Sequence, residues 1–184
     1  YARKIVLVGL GPLGCIPNMR VKTSNGSCNE NLNTWAQQFN SALQELVGRF
    51  TSNYTDAIIT LANPYLVLEN LIQNPLENGN ISIVILHYTL QLLNLKEENS
   101  SYQNVYHPFP HIEGFSVTNE ACCGGGRLHA QIPCFPLFTY CSNRSNHVFW
   151  DPWHPTEASN IFLVNSFLSA NKTLVGPWTI TELI

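Results

Sequence analysis

The 184-residue sequence predicts a layered α/β fold on a parallel sheet, and three features carry that expectation. Two short runs, Lys4–Val8 and Ala57–Ala62, are nearly continuous in apolar and β-branched residues, as strands buried on both faces of a parallel sheet are. Helical signals follow each run. Strand, helix, strand, helix is the rhythm of a βαβ unit, which forces a layered architecture.

The first strand ends in Gly9-Leu10-Gly11-Pro12-Leu13-Gly14-Cys15-Ile16-Pro17, read as a rigid loop that resists helix initiation, followed by a polar loop over Thr23–Cys28. From Asn29 to Phe50 apolar residues fall at Leu32, Trp35, Ala36, Phe39, Leu43, Leu46, Val47 and Phe50. Those spacings of three, one, three, four, three, one and three describe an amphipathic helix, with Asn29 or Asn31 as N-cap. After the second strand, Asn63-Pro64 supplies an N-cap and an N1 proline for a helix whose expected inward face is Leu66, Val67, Leu71 and Ile72. Leu76–Glu113 differs in composition and holds no sustained period. Past Gly114 the text reads as a cysteine-rich loop up to His147-Val148-Phe149-Trp150. A final helix is expected from Pro155 to about Leu168, with Ala158, Ile161, Phe162 and Leu168 inward.

Composition narrows the partners. A net charge of −3 with 9 Lys+Arg leaves no basic footprint for nucleic acid or anionic lipid. The longest apolar-rich stretch, Ile81–Leu95, is broken by His87, Gln91 and Asn94 and is too short and polar to span a bilayer, so no integral membrane segment is expected. Six cysteines, Cys15, Cys28, Cys122, Cys123, Cys134 and Cys141, fall in clusters. Their 15 formal pairings stay open, although the clustering favours Cys15 with Cys28, and Cys122 and Cys123 with Cys134 and Cys141 in either order. Asn-x-Ser/Thr sequons begin at Asn25, Asn53, Asn80, Asn99, Asn143 and Asn171. Paired cysteines and six sequons together point to a secreted glycoprotein.

The chemistry concentrates in Phe149-Trp150-Asp151-Pro152-Trp153-His154-Pro155-Thr156-Glu157-Ala158. Asp151 and His154 lie three apart on a proline-bounded turn. Pro155 as N1 would put His154 at the N-cap, where the helix dipole disfavours a positive ring. Asp151 would take the hydrogen of Nδ1, fix the tautomer and stabilise the charge that forms when the ring accepts a proton. The plainer alternative is a capping pair, with Asp151 on backbone N–H groups and His154 merely at the surface.

Three separated segments set that pair in context: Arg3-Lys4-Ile5-Val6 with Gly9–Pro17, Ala121-Cys122-Cys123-Gly124, and Val148–Asp151 with His154–Ala158. In this order they resemble the plant-type GDSL esterase/lipase family, a branch of the SGNH hydrolases. The resemblance covers residues 1–75 and 114–170. It implies a three-layer α/β/α sandwich around a parallel sheet (SGNH/flavodoxin-like) and cofactor-free, metal-free carboxylic-ester hydrolysis by a Ser–His–Asp triad. His154 would be general base and acid, and Asp151 its orienting partner. No Gly-Asp-Ser and no Gly-x-Asn-Asp occurs, so neither nucleophile nor oxyanion asparagine is found. The expectation is therefore the C-terminal part of one hydrolase domain lacking its N-terminal strands, acting on an ester of a lipid, small molecule or polysaccharide. Its signal peptide would lie in the missing part. Leu76–Glu113, absent from the family pattern, is expected to be an atypical insertion or intron-derived. The alternative function is a secreted, non-catalytic truncated protein or binding module.

Two other patterns lead elsewhere. Gly9-x-Gly11-x-x-Gly14 matches a dinucleotide-binding loop, but Pro12 and Pro17 oppose the helix that such a loop must open. His87, His107, His111, His129 and His147 show no repeated ligand spacing and are read as scattered surface histidines, so no metal is expected.

Overall fold

A computed structural model describes residues 2–54, 56–75 and 114–184. The segment 76–113, expected to be an insertion, lies outside the described residues, and with it His87, His107, His111, Asn80 and Asn99.

The α/β class holds. Strand β1 (Lys4–Val8) pairs in parallel with β2 (Ile58–Ala62), Lys4 opposite Ile58 and Val8 opposite Ala62. A short C-terminal strand, β5 (Val175–Gly176), joins the far side of β2 antiparallel, giving the order β1-β2-β5 and a mixed sheet. A second sheet pairs β3 (Val117–Ala121) with β4 (His147–Phe149) in parallel. Strand β3 replaces part of the expected loop; its Val-Thr-Asn-Glu-Ala sequence is too polar to read as buried. Nor is β1 buried on both faces. Its exposure alternates, Val8 is 59% exposed, and only one of its edges is paired among the described residues.

Helix α1 (Pro17–Arg20) starts directly after the Gly9–Ile16 loop, which corrects the expectation that no helix begins there. Pro17 sits at N1, where its missing N–H is no loss. Helix α2 (Glu30–Asn53) is capped by Asn29, whose side chain accepts from the Leu32 N–H at 3.2 Å. Its buried positions are Asn33, Ala36, Asn40 and Val47, whereas Trp35, Phe39, Leu46 and Phe50 face outward. The expected apolar face thus divides into two stripes. The inner one carries small and amide side chains because α2 packs tightly against the loop after β1. Asn33 accepts from the Gly14 N–H at 2.8 Å, and Asn40 accepts from the Leu10 N–H at 2.7 Å while donating to the Leu10 carbonyl at 2.8 Å. A side chain at Gly14 would strike the Asn29 carbonyl and Asn33. The glycines that mimic a dinucleotide loop admit a helix of this chain.

Helix α3 (Pro64–Gln73) starts as expected, with the Asn63 side chain accepting from the Tyr65 N–H at 3.0 Å. Tyr65, Val67, Leu71 and Ile72 face inward, and Leu66 is exposed instead of buried. Helix α4 (Glu157–Leu168) and the terminal turn α5 (Ile180–Leu183) complete the chain. In α4 the buried set is Ser159, Phe162, Ser166 and Phe167, so Ile161 and Leu168 are corrections. One core joins Ala62, Val67, Leu71, Phe115, Val148, Phe162 and Val175. Phe115 meets Phe162 edge-on at 6.1 Å between ring centres.

Candidate active site

Strand β4 is buried throughout and ends at Phe149, so the next residues emerge at the sheet's carboxyl end. There Trp150–His154 form a tight loop closed by the Trp150 N–H donating to the His154 carbonyl at 2.8 Å. The Asp151 carboxylate fills the loop. Its Oδ1 accepts from the Trp153 N–H at 2.8 Å and the His154 N–H at 2.7 Å. The same carboxylate faces His154 Nδ1, at 2.8 Å from Oδ2 and 3.0 Å from Oδ1.

Asp151 therefore does both things set against each other in the sequence: it ties down backbone N–H groups and it orients a ring. Partial burial pushes its pKa upward, but the hydrogen bonds from the Trp153 N–H, the His154 ring and the His154 N–H outweigh that and hold it below the usual carboxylate range. An ionised carboxylate only accepts, so Nδ1 must carry the hydrogen and the neutral ring keeps its lone pair on Nε2. The Asp151 side chain is 16% exposed and that of His154 72%, and no described side chain hydrogen-bonds Nε2. A shielded orienting acid and an open ring nitrogen can accept a proton from a group brought to that nitrogen.

The helix following the pair begins later than expected. Its N-cap is Thr156, whose hydroxyl accepts from the Ser159 N–H at 3.1 Å, so His154 lies two residues upstream of the cap and Pro155 is not N1. A threonine hydroxyl is a preferred N-cap acceptor and a histidine ring is not. The ring is placed by Asp151, not by a helix end.

Residues outside the sequence-derived set brace this loop. Thr156 donates to the His147 carbonyl at 2.7 Å and Ser159 to the Val148 carbonyl at 2.8 Å, locking α4 onto β4. A threonine ahead of Glu157 is the available signal, as an N-cap with an acidic first turn. On the other side, the Cys122 N–H donates to the Phe149 carbonyl at 3.0 Å and the Cys123 N–H to the Trp150 carbonyl at 2.7 Å. Disulfides Cys122–Cys141 and Cys123–Cys134 hold that strand end, and Cys15–Cys28 closes the segment that contains α1 and the loop after it. The Asn18 N–H, on α1, reaches the Pro152 carbonyl at 3.0 Å. Arg127 ties the two disulfide regions together, donating to the Thr23 carbonyl at 2.8 Å and the Ser24 carbonyl at 2.9 Å.

The remaining sequence candidates scatter. His147 is buried, not at the surface: its Nδ1 lies 2.9 Å from the Asn143 carbonyl and 2.6 Å from Asn146 Oδ1. His129 sits in the Arg127–His129 turn, and no group of three metal-ligating side chains gathers among the described residues. No described helix is long and apolar enough to cross a membrane. An open depression along α2, lined by Glu45, Gly48, Arg49, Ser52 and Asn53, includes neither member of the pair.

Comparison with known proteins bears on this geometry. The family model for GDSL-like lipases/acylhydrolases matches residues 1–167. Among curated relatives, GDSL esterase/lipase At4g18970 of Arabidopsis thaliana is 34% identical over 185 residues, covering 99% of this chain and 42% of its own length. GDSL esterase/lipase At5g45670 of the same plant is also 34% identical, covering 99% and 41%, and GDSL esterase/lipase At5g08460 is 31% identical, covering 98% and 39%. The chain thus spans about two-fifths of the length of the curated relatives it matches. With the family model matching residues 1–167, relatives 34% identical along 99% of the chain and an α/β core, the chain belongs to the GDSL-like lipase/acylhydrolase family.

Proposed function

We propose that this chain is the acid–base part of a secreted carboxylic-ester hydrolase whose nucleophile and oxyanion donors lie in a further part of a longer protein. The carrying observation is the Asp151–His154 pair, with Nδ1 held at 2.8 Å and Nε2 without a partner among the described residues. In the whole enzyme His154 would take the proton of a serine hydroxyl as it attacks the acyl carbon, then return it to the leaving alcohol. Asp151 would hold the ring and stabilise its charge. A positioned base of this kind contributes roughly 10²–10⁴-fold in rate. The substrate class is an ester of a lipid or of an acylated small molecule or polysaccharide. Three disulfides support secretion, since such bonds persist in oxidising compartments.

The partial nature of the domain has its own support. The unpaired edge of β1, its exposed Val6 and Val8, and the outward stripe Trp35, Phe39, Leu46 and Phe50 on α2 leave apolar surface and a strand edge uncovered among the described residues. Such surface is what a completed sheet and its neighbouring helix would bury.

The test is to read the transcript beyond both ends and across residues 76–113, then express the whole reading frame and the 184-residue chain side by side. The whole protein should hydrolyse a p-nitrophenyl ester and lose that activity with His154→Ala. The isolated chain should show none above background. A message with no serine-bearing segment, or full activity in the His154→Ala protein, overturns the proposal.

A further inference from the structure

We infer that three sequons, at Asn25, Asn143 and Asn171, are N-glycosylation acceptors, occupied ahead of the one at Asn53; this rests on the secreted reading above. All three asparagines are exposed and lie outside regular helix and strand. Each makes the same local bond. The Asn25 side-chain oxygen accepts from the Ser27 N–H at 3.0 Å, that of Asn143 from the Ser145 N–H at 3.0 Å, and that of Asn171 from the Thr173 N–H at 3.1 Å.

The shared geometry has two consequences. First, each bond joins residue i to residue i+2, so it forms without any tertiary contact and is open to a chain that has not yet folded. It engages the carboxamide oxygen, leaves Nδ2 without a hydrogen-bond partner among the described residues and brings the acceptor's Ser or Thr into the same turn. Secondly, the finished fold leaves each residue in water, so a bulky polar group costs no burial. The chemistry is a glycosyl transfer from a polyprenyl-diphosphate-linked oligosaccharide. Nδ2 attacks the anomeric carbon, the N–C bond forms as the C–O bond to phosphate breaks, one Nδ2 proton is lost, and the lipid diphosphate leaves.

Asn53 differs. It is the last residue of α2 and its backbone is helical, whereas the other three asparagines lie outside helix and strand.

The experiment delivers the full chain to the endoplasmic reticulum of a cultured mammalian cell line behind a cleavable heterologous signal. Total protein is then treated with peptide N-glycosidase in 18O water, which converts each glycosylated asparagine into labelled aspartate. Label is expected at 25, 143 and 171, several-fold above that at 53, with one gel-mobility step lost for each of Asn25→Gln, Asn143→Gln and Asn171→Gln. An unlabelled site among the three, or label at 53 equal to theirs, overturns the inference. Protein taken from its natural source separates the two readings. Should it carry no glycan while the delivered chain is labelled at all three, the secreted reading fails and the acceptor assignment stands.

Discussion

Replacing Asp151 by asparagine keeps the shape of the loop and reverses the chemistry of the ring. The amide oxygen of the variant can still accept from the Trp153 and His154 N–H groups, which lie 2.8 and 2.7 Å from Oδ1 in the native loop. Those two bonds lose their charge assistance, roughly 1 kcal/mol each, so Asp151→Asn should destabilise the fold by about 1–3 kcal/mol and leave it folded. The other side-chain position, 2.8 Å from His154 Nδ1, becomes an amide NH₂. It can only donate, so Nδ1 must accept and the hydrogen moves to Nε2. A ring in that state cannot take a proton at Nε2, and in a whole triad enzyme the loss from a reversed tautomer is about 10⁴-fold in kcat. The tautomer is measurable in this chain without any nucleophile, by 15N shifts of the neutral His154 ring. The native protein should show a protonated Nδ1 and a bare Nε2, and Asp151→Asn the reverse. An unchanged tautomer in a variant that keeps its native fold would refute the orienting role.

Four further outcomes follow from the same structure. The depressed Asp151 pKa makes its ionisation stabilising: the contribution is complete above its unfolded value of about 3.9 and disappears as pH falls through the lower folded value. Chemical denaturation of native and Asp151→Asn proteins should therefore differ at pH 7 and converge in strong acid. Removing the Cys122–Cys141 bridge with paired serines opens a loop whose ends are 19 residues apart and should cost about 3 kcal/mol, read as a lower denaturation midpoint. Phe162→Ala empties a position with no solvent exposure opposite Phe115 and should cost about 3–5 kcal/mol in the same measurement. Ile161→Ala, one residue away on the exposed side of α4, should stay within about 1 kcal/mol of the native protein.

Local signals are readable wherever neighbouring residues suffice to make the structure. Asn63-Pro64 caps and opens a helix because a side-chain oxygen and a fixed φ act within one turn. The Asn29 cap and the long helix after it are of the same kind. The Asp151–His154 pair is legible because three residues of separation and two prolines leave the carboxylate few places to go but the intervening N–H groups and the ring. Helix α1 escapes a reading that treats proline as a breaker, since Pro17 occupies the one helical position that suits it. The polar strand β3 escapes too, because its hydrogen bonds, not its side chains, make it a strand.

Family, fold class, the Asp–His pair and the six clustered cysteines are thus all present in the order of residues, since each depends on motifs a few positions long. Contacts between distant segments decided the rest. Which stripe of α2 faces inward depended on Asn33 and Asn40 meeting a loop some twenty to thirty residues earlier. How Cys122 and Cys123 divide Cys141 and Cys134 depended on the path of the intervening loop. The start of α4 followed from Thr156 and Ser159 finding carbonyls on β4. Apolar periodicity says that a residue has a side to bury, but only the partner surface, assembled from elsewhere in the chain, determines which side that is.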